Sequence, residues 1–118
     1  MKKIFAILML IVLLFSVSAC SNNFIKGSVI KESAYGDATL DIMPQKVLEK
    51  LNIGDTVIVK IGDFEEEMPF VDELIAEDGK LQLVLDRENW NISVCVYNEC
   101  FFEKYGIEVE DKVEIRKK

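Results

Sequence analysis

The sequence predicts a mostly β protein: a small six- or seven-stranded barrel with one or two short helices, preceded by a lipoprotein signal peptide. Three observations lead there. Beyond Phe24 the apolar residues recur in twos more than in threes and fours. Runs rich in Val, Ile and Thr are broken by short turns. A domain this short cannot cover both faces of so many strands unless the sheet closes on itself and removes its edges. A small two-sheet sandwich is the alternative architecture.

The elements follow in order. Gly27 to Lys31 reads as a first strand and Ala38 to Ile42 as a second. Pro44 to Leu51 is helical, because proline suits a helix's first turn and Val47, Leu48 and Leu51 share one face. Thr56 to Ile61 is a strand of β-branched residues that ends in the turn Gly62-Asp63. Phe64 to Phe70 returns antiparallel, with Pro69 marking an edge or a strand end. The turn Glu77-Asp78-Gly79-Lys80 leads into the strand Leu81 to Leu85. After a turn at Arg87 to Trp90, Ile92, Val94 and Val96 alternate with Ser93, Cys95 and Tyr97. Phe101 to Tyr105 is a shorter helix, and Lys112 to Arg116 makes the last strand.

One pattern occurs twice. Glu49-Lys50-Leu51-Asn52-Ile53 leads into the strand at Thr56, and Glu103-Lys104-Tyr105-Gly106-Ile107 leads, two residues longer, into the strand at Lys112. Helix, acidic turn and strand are repeated. Two readings are open: a duplicated barrel half, or two uses of a convenient connection. The second is favoured because the remainder of each half does not match in sequence.

The N-terminus reads as an address. Lys2 and Lys3 precede twelve apolar residues from Ile4 to Phe15, short of the ~20 that a membrane-spanning helix needs. Val17-Ser18-Ala19-Cys20 resembles the bacterial lipobox, in which the cysteine is lipidated and becomes the first residue. Two or three acyl chains, at ~0.8 kcal/mol per buried CH₂, anchor such a protein stably. Residues 1–19 are therefore expected to be removed, 20–25 to form a lipidated tether, and 26–118 to form the barrel. The expected place is the bacterial cell envelope, outside the cytoplasm.

Charge and composition exclude several functions. The chain of 118 residues carries a formal charge of −7; without its first 19 residues it has 99 and, lacking Lys2 and Lys3, −9. Nucleic acid demands a basic face and is not an expected partner. With no histidine, His-dependent triads and His-ligated zinc are ruled out within this chain. Asp63, Glu65, Glu66 and Glu67 form the densest acidic patch, but they lack a calcium loop's ligand spacing and read as a solvated hairpin. No metal or other cofactor is expected.

Few residues remain as candidates. Cys95 and Cys100 are read as free thiols, and a bridge between them would need a sharp turn through Asn98 and Glu99. Trp90, the only tryptophan, occupies a turn where it either covers a barrel end or offers a stacking platform. Tyr35-Gly36-Asp37 is the other aromatic turn, with Glu32 three residues upstream.

These pieces, in order, resemble one known domain. The segment Gly27 to Asp37 containing Glu32-Ser33-Ala34-Tyr35-Gly36-Asp37, then Ile53-Gly54-Asp55-Thr56-Val57, Met68-Pro69-Phe70-Val71, and Gly106-Ile107 followed by Val113-Glu114-Ile115 are similar to the C-terminal β-barrel of the S-adenosylmethionine hydroxide adenosyltransferase family, which includes fluorinases and chlorinases. The resemblance covers nearly all of Lys26 to Lys117. It implies a barrel that contributes adenine and methionine contacts while a larger α/β domain supplies the catalytic Asp-Arg-His group.

That α/β domain has no counterpart in these 118 residues. Where the family motif runs Asp-x-x-Phe-Gly-Asn, this chain has Glu32, Tyr35 and Asp37; where it runs Gly-Asn-Ala, the gap-free match is Glu99-Cys100-Phe101. The chain is accordingly expected not to be an enzyme by itself. It is expected to be a membrane-anchored binding or interaction module, lipidated at Cys20, with Glu32, Tyr35, Asp37 and Trp90 as ligand-binding residues. An envelope protein or an adenosine-type ligand is the expected partner. The alternative is the non-catalytic half of a split S-adenosylmethionine-using enzyme, acting with a separate α/β subunit.

Overall fold

The computed structural model describes residues 24–118; the segment expected to be a signal peptide, Cys20, and the expected tether as far as Asn23 lie outside the described residues. Seven strands form a closed barrel: β1 (Ile25–Glu32), β2 (Ala38–Leu40), β3 (Thr56–Ile61), β4 (Phe64–Val71), β5 (Leu81–Asp86), β6 (Asn91–Val96) and β7 (Lys112–Lys117). Two short helices, α1 (Pro44–Lys50) and α2 (Phe101–Tyr105), link β2 to β3 and β6 to β7. Around the barrel the order is β1-β2-β6-β5-β4-β3-β7. The sandwich alternative is not formed.

Most boundaries follow the alternation in the sequence. The exceptions have physical causes. β1 reaches back to Ile25, inside the segment that reads as tether, because Ile25 pairs with Ile115 of β7 and is buried. β2 stops at Leu40, two residues early, although the Asp41 amide still donates to the Ser28 carbonyl at 2.8 Å. A bulge at Ile30 shifts the β1–β2 register and turns that isoleucine outward.

Strand pairing extends the internal repeat beyond helix, turn and strand. Val29 pairs with Leu40 between β1 and β2, and Leu83 pairs with Val94 between β5 and β6. Leu83 and Val94 lie 54 positions after Val29 and Leu40 respectively. The same offset relates Thr39 to Ser93, which pair directly across β2 and β6. Allowing for the two-residue longer turn, Val59 is equivalent to Ile115, and these also pair directly across β3 and β7. The reading confined to a repeated connection is therefore too narrow. Hairpin, helix and strand recur as one unit about a pseudo-two-fold axis, and β4 is the extra element. Symmetry would make β3 and β5 neighbours as β7 and β1 are; β4 intervenes and pairs in parallel with β5 through Phe70–Leu83 and Val71–Val84.

The inward residues of both units make one core. Val29, Val57, Val59, Phe70, Leu83, Leu85, Ile92, Val94 and Ile115 are fully buried there. Burying each such side chain contributes roughly 1.5–3 kcal/mol. The equivalent helix positions are Val47 of α1 and Phe101 of α2, both fully buried. Phe101 also stacks edge-on with Phe64 at 5.2 Å, and Tyr105 closes the cluster at 4.8 Å from Phe64.

Glu65, Glu66 and Glu67 on β4 are all exposed, as a solvated hairpin requires. Glu66 shares a side with Phe64 and Met68, yet reaches solvent because only the far end of β4 pairs with β5.

Candidate binding groove

A parallel β4–β5 pair needs a crossover, and here residues 72–80 supply it by passing over the outer face of β5 and β6. Gln82 anchors that strap. Its side chain points outward from β5, accepts from the Ile75 amide at 2.7 Å, and donates to the carbonyls of Ile75 and Lys80 at 3.1 and 3.3 Å. Gln82 is thereby fully buried on the outside of a barrel, with its polar atoms satisfied. The strap's turn meets the end of β6. Gly79 donates to the Tyr97 carbonyl at 3.0 Å, and Asn98 Nδ2 donates to Asp78 Oδ1 at 2.6 Å.

Beside the strap lies the β1–β2 turn, tied by Ser33. Its hydroxyl accepts from the amides of Tyr35 at 3.2 Å and Asp37 at 3.0 Å, while its own amide donates to the Asp37 carbonyl at 2.9 Å. Gly36 sits between them with φ +83°, a left-handed conformation that favours glycine. A Cβ there would also collide with Cys100 Sγ, so the turn packs directly on the β6–α2 corner. The Gly36 carbonyl accepts from the Phe102 amide at 3.0 Å, satisfying a donor in the first turn of α2.

Turn, strap and corner enclose three connected depressions, and Asp37 lines all of them. The most apolar, about 480 Å³, is lined by Tyr35, Leu74, Cys95, Tyr97, Glu99 and Cys100 besides Asp37. A more polar one of about 670 Å³ runs along Glu32, Ser33, Thr39, Asp86, Asn89 and Ser93. Burial pushes the Asp37 carboxyl above the usual carboxylate range, partly offset by its hydrogen bond with Ser33. Burial, with the Asp37 charge adding to it, pushes the Cys95 thiol up to about 12. Across the groove, Tyr35 is 84% exposed and stands as an open aromatic face.

The structure therefore brings Glu32, Tyr35 and Asp37 to one groove. Trp90 is not among the lining residues, although its neighbours Asn89 and Asn91 are: it occupies the β5–β6 turn at φ +51° and is 43% exposed. That turn is built by Asp86, whose carboxylate accepts from the amides of Glu88 and Asn89 and from Asn89 Nδ2, which holds it below the usual range. Cys95 and Cys100 are both free thiols, Cys95 on the outer face and 4% exposed. Among the described residues, no cluster of His, Cys, Asp or Glu is arranged to hold a metal ion, and no helix is long and apolar enough to cross a membrane.

Sequence reasoning missed three contributors. Ser33 was legible, because a serine four residues before an aspartate in a turn is a local hydrogen-bonding signal. Gln82 and Leu74 were not, since only the path of the strap puts Ile75 over Gln82 and Leu74 at the groove.

No family model and no curated protein matches this chain. Solved structures do. An uncharacterized conserved protein from Thermotoga maritima superposes with a TM-score of 0.70 at 18% identity, over 79% of this chain and 36% of its own. A conserved hypothetical protein from Thermus thermophilus gives 0.54 at 17%, over 79% and 34%. The chain spans about a third of the length of these two proteins, and what it shares with them is the barrel fold.

Proposed function

We propose that this chain is a lipid-anchored, extracytoplasmic, non-catalytic binding module whose ligand occupies the groove around Asp37. The observation that carries this reading is the place of the groove. It forms at the Glu32–Asp37 turn, the segment whose sequence resembles the adenosine-contacting motif of the S-adenosylmethionine hydroxide adenosyltransferase barrels. Tyr35 offers a stacking face, and Asp37 accepts hydrogen bonds from a donor such as an exocyclic amine or a ribose hydroxyl. Glu99 narrows the approach where that family has glycine, which suits a re-tuned ligand or a segment of an envelope protein.

Calorimetric titration of the chain with adenosine and with S-adenosylmethionine tests the ligand. Heat of binding that Tyr35→Ala abolishes supports the adenosine-type pocket; no heat with either leaves a protein partner as the occupant. Anchoring is tested separately by Cys20→Ser, which should release the chain from the membrane fraction. Its retention there would overturn the anchoring claim.

One observation favours a second reading. The similar solved structures are nearly three times as long as the part they share with this chain. On that reading the barrel is the non-catalytic half of a split S-adenosylmethionine-using enzyme. Co-purification of a separate α/β subunit, with ligand binding only by the pair, would support it.

A further inference from the structure

We infer that Cys95 and Cys100 form a reversible cross-strand disulfide that sets the shape of the Asp37 groove. The sharp turn such a bridge requires is present. Val96 and Glu99 form a β-bridge, the Glu99 amide donating to the Val96 carbonyl at 3.1 Å. Only Tyr97 and Asn98 lie between them, and Asn98 takes the left-handed conformation at φ +61°. Cys95 and Cys100 flank that closing pair, and Cys100 is still extended at φ −87° and ψ 108°. Residues opposed in this way stand with Cα atoms ~4.5–5.5 Å apart and side chains on one side. A disulfide needs ~4.4–6.8 Å. Both cysteines line the same cavity.

The two sulfurs differ in a way that divides the work. Cys100 is half-buried, with its thiol 3.8 Å from Glu32 Oε1 and pressed against Gly36. Cys95 lies beneath the strap next to Asp37, and its raised pKa keeps it from initiating exchange. The Cys100 thiolate attacks one sulfur of an oxidant's disulfide, such as glutathione disulfide; that bond breaks and the other sulfur leaves as a thiolate. Cys95 then loses its proton and displaces the remaining oxidant sulfur from Cys100. The two cysteines have given up two electrons and two protons, and the oxidant has become two thiols. Bonding to Cys95 draws the Cys100 sulfur away from Gly36 and Glu32, freeing the β1–β2 turn and narrowing the cavity at its β6–α2 end.

Peptide mapping tests this independently of ligand and anchor. The full chain is treated with glutathione disulfide, denatured, alkylated with iodoacetamide and cut with trypsin. The peptide Glu88–Lys104 holds both thiols, while Cys20 falls in a different peptide. The expected product is unalkylated and two hydrogens lighter than the dithiol, with dithiothreitol restoring two alkylations. Oxidation should also raise Tm by several degrees, since the cross-link restricts the unfolded chain. Double alkylation after oxidant, or a stable glutathione adduct on this peptide, would overturn the bridge. In Cys100→Ser, Cys95 should stay reduced; its modification as fast as in the unaltered chain would overturn the assigned order.

Discussion

The two halves of the barrel follow one path and differ in their turns. In the first, β1 and β2 lead to α1 and β3; in the second, β5 and β6 lead to α2 and β7. Their inward positions exchange one aliphatic residue for another: Val29 for Leu83, Leu40 for Val94, Val59 for Ile115. The turns exchange nothing. The β1–β2 turn is a Ser33 knot that presents Tyr35 and Asp37, whereas the β5–β6 turn is an Asp86 cap that leaves Trp90 outside the groove. The second unit also enters its helix through the tight Tyr97-Asn98 turn. The strands' equivalence serves stability, and the groove arises where equivalence fails.

The largest test of that contrast is at the helix positions. Phe101→Ala should cost about 3–5 kcal/mol in urea unfolding, because Phe101 packs on both Phe64 and Tyr105. Its counterpart Val47→Ala should cost about 2 kcal/mol, having fewer carbons to lose. Equal costs would mean that the aromatic cluster around Phe101 adds nothing to what the second helix position buries. Next comes Gly36→Ala. Left-handed backbone alone costs a non-glycine residue about 1–2 kcal/mol, the amount expected for Gly54→Ala, whose Cβ would meet nothing within 4 Å. Gly36→Ala should cost more than that, since Cys100 must move. Parity between the two glycines in thermal unfolding would break the claimed packing of turn on corner.

Ser33→Ala removes the acceptor for two amides and should cost about 1–2 kcal/mol. Hydrogen exchange at Tyr35 and Asp37 should quicken while exchange in the Asp86 turn stays as it was. Coupled loss of protection in both turns would show that the two are not independent. The smallest effect concerns pH. Because burial raises the Asp37 carboxyl, the folded chain holds that proton more tightly than the unfolded chain does. Its contribution to stability is greatest in acid and fades as pH rises through the folded value. Asp37→Asn should therefore be more stable than the unaltered chain at neutral pH, with the gap closing as pH falls toward about 4, the usual carboxylate range. A gap that widens in acid would reverse the assignment.

Much of this barrel was legible in one dimension. Thr56 to Ile61 and the helix from Pro44 lie where alternation and helical spacing put them, because those patterns record which side of each element meets the core. Glu32, Tyr35 and Asp37 were legible as a group because they sit in one short turn. Gln82 was not. Alternation marked it as an outward residue of β5, and nothing local says that a strap will cover that face.

What the sequence determined by itself is the set of strands, the two helices and the turn that carries Tyr35 and Asp37, since each depends on neighbours within a few residues. The order of the strands around the barrel, the pseudo-two-fold and the groove were decided by tertiary structure. Val59 meets Ile115, Gln82 holds Ile75 and Gly36 touches Cys100 only because the barrel closes. Contacts between residues so far apart in the chain leave no periodic trace in it, because they follow from how the strands pair.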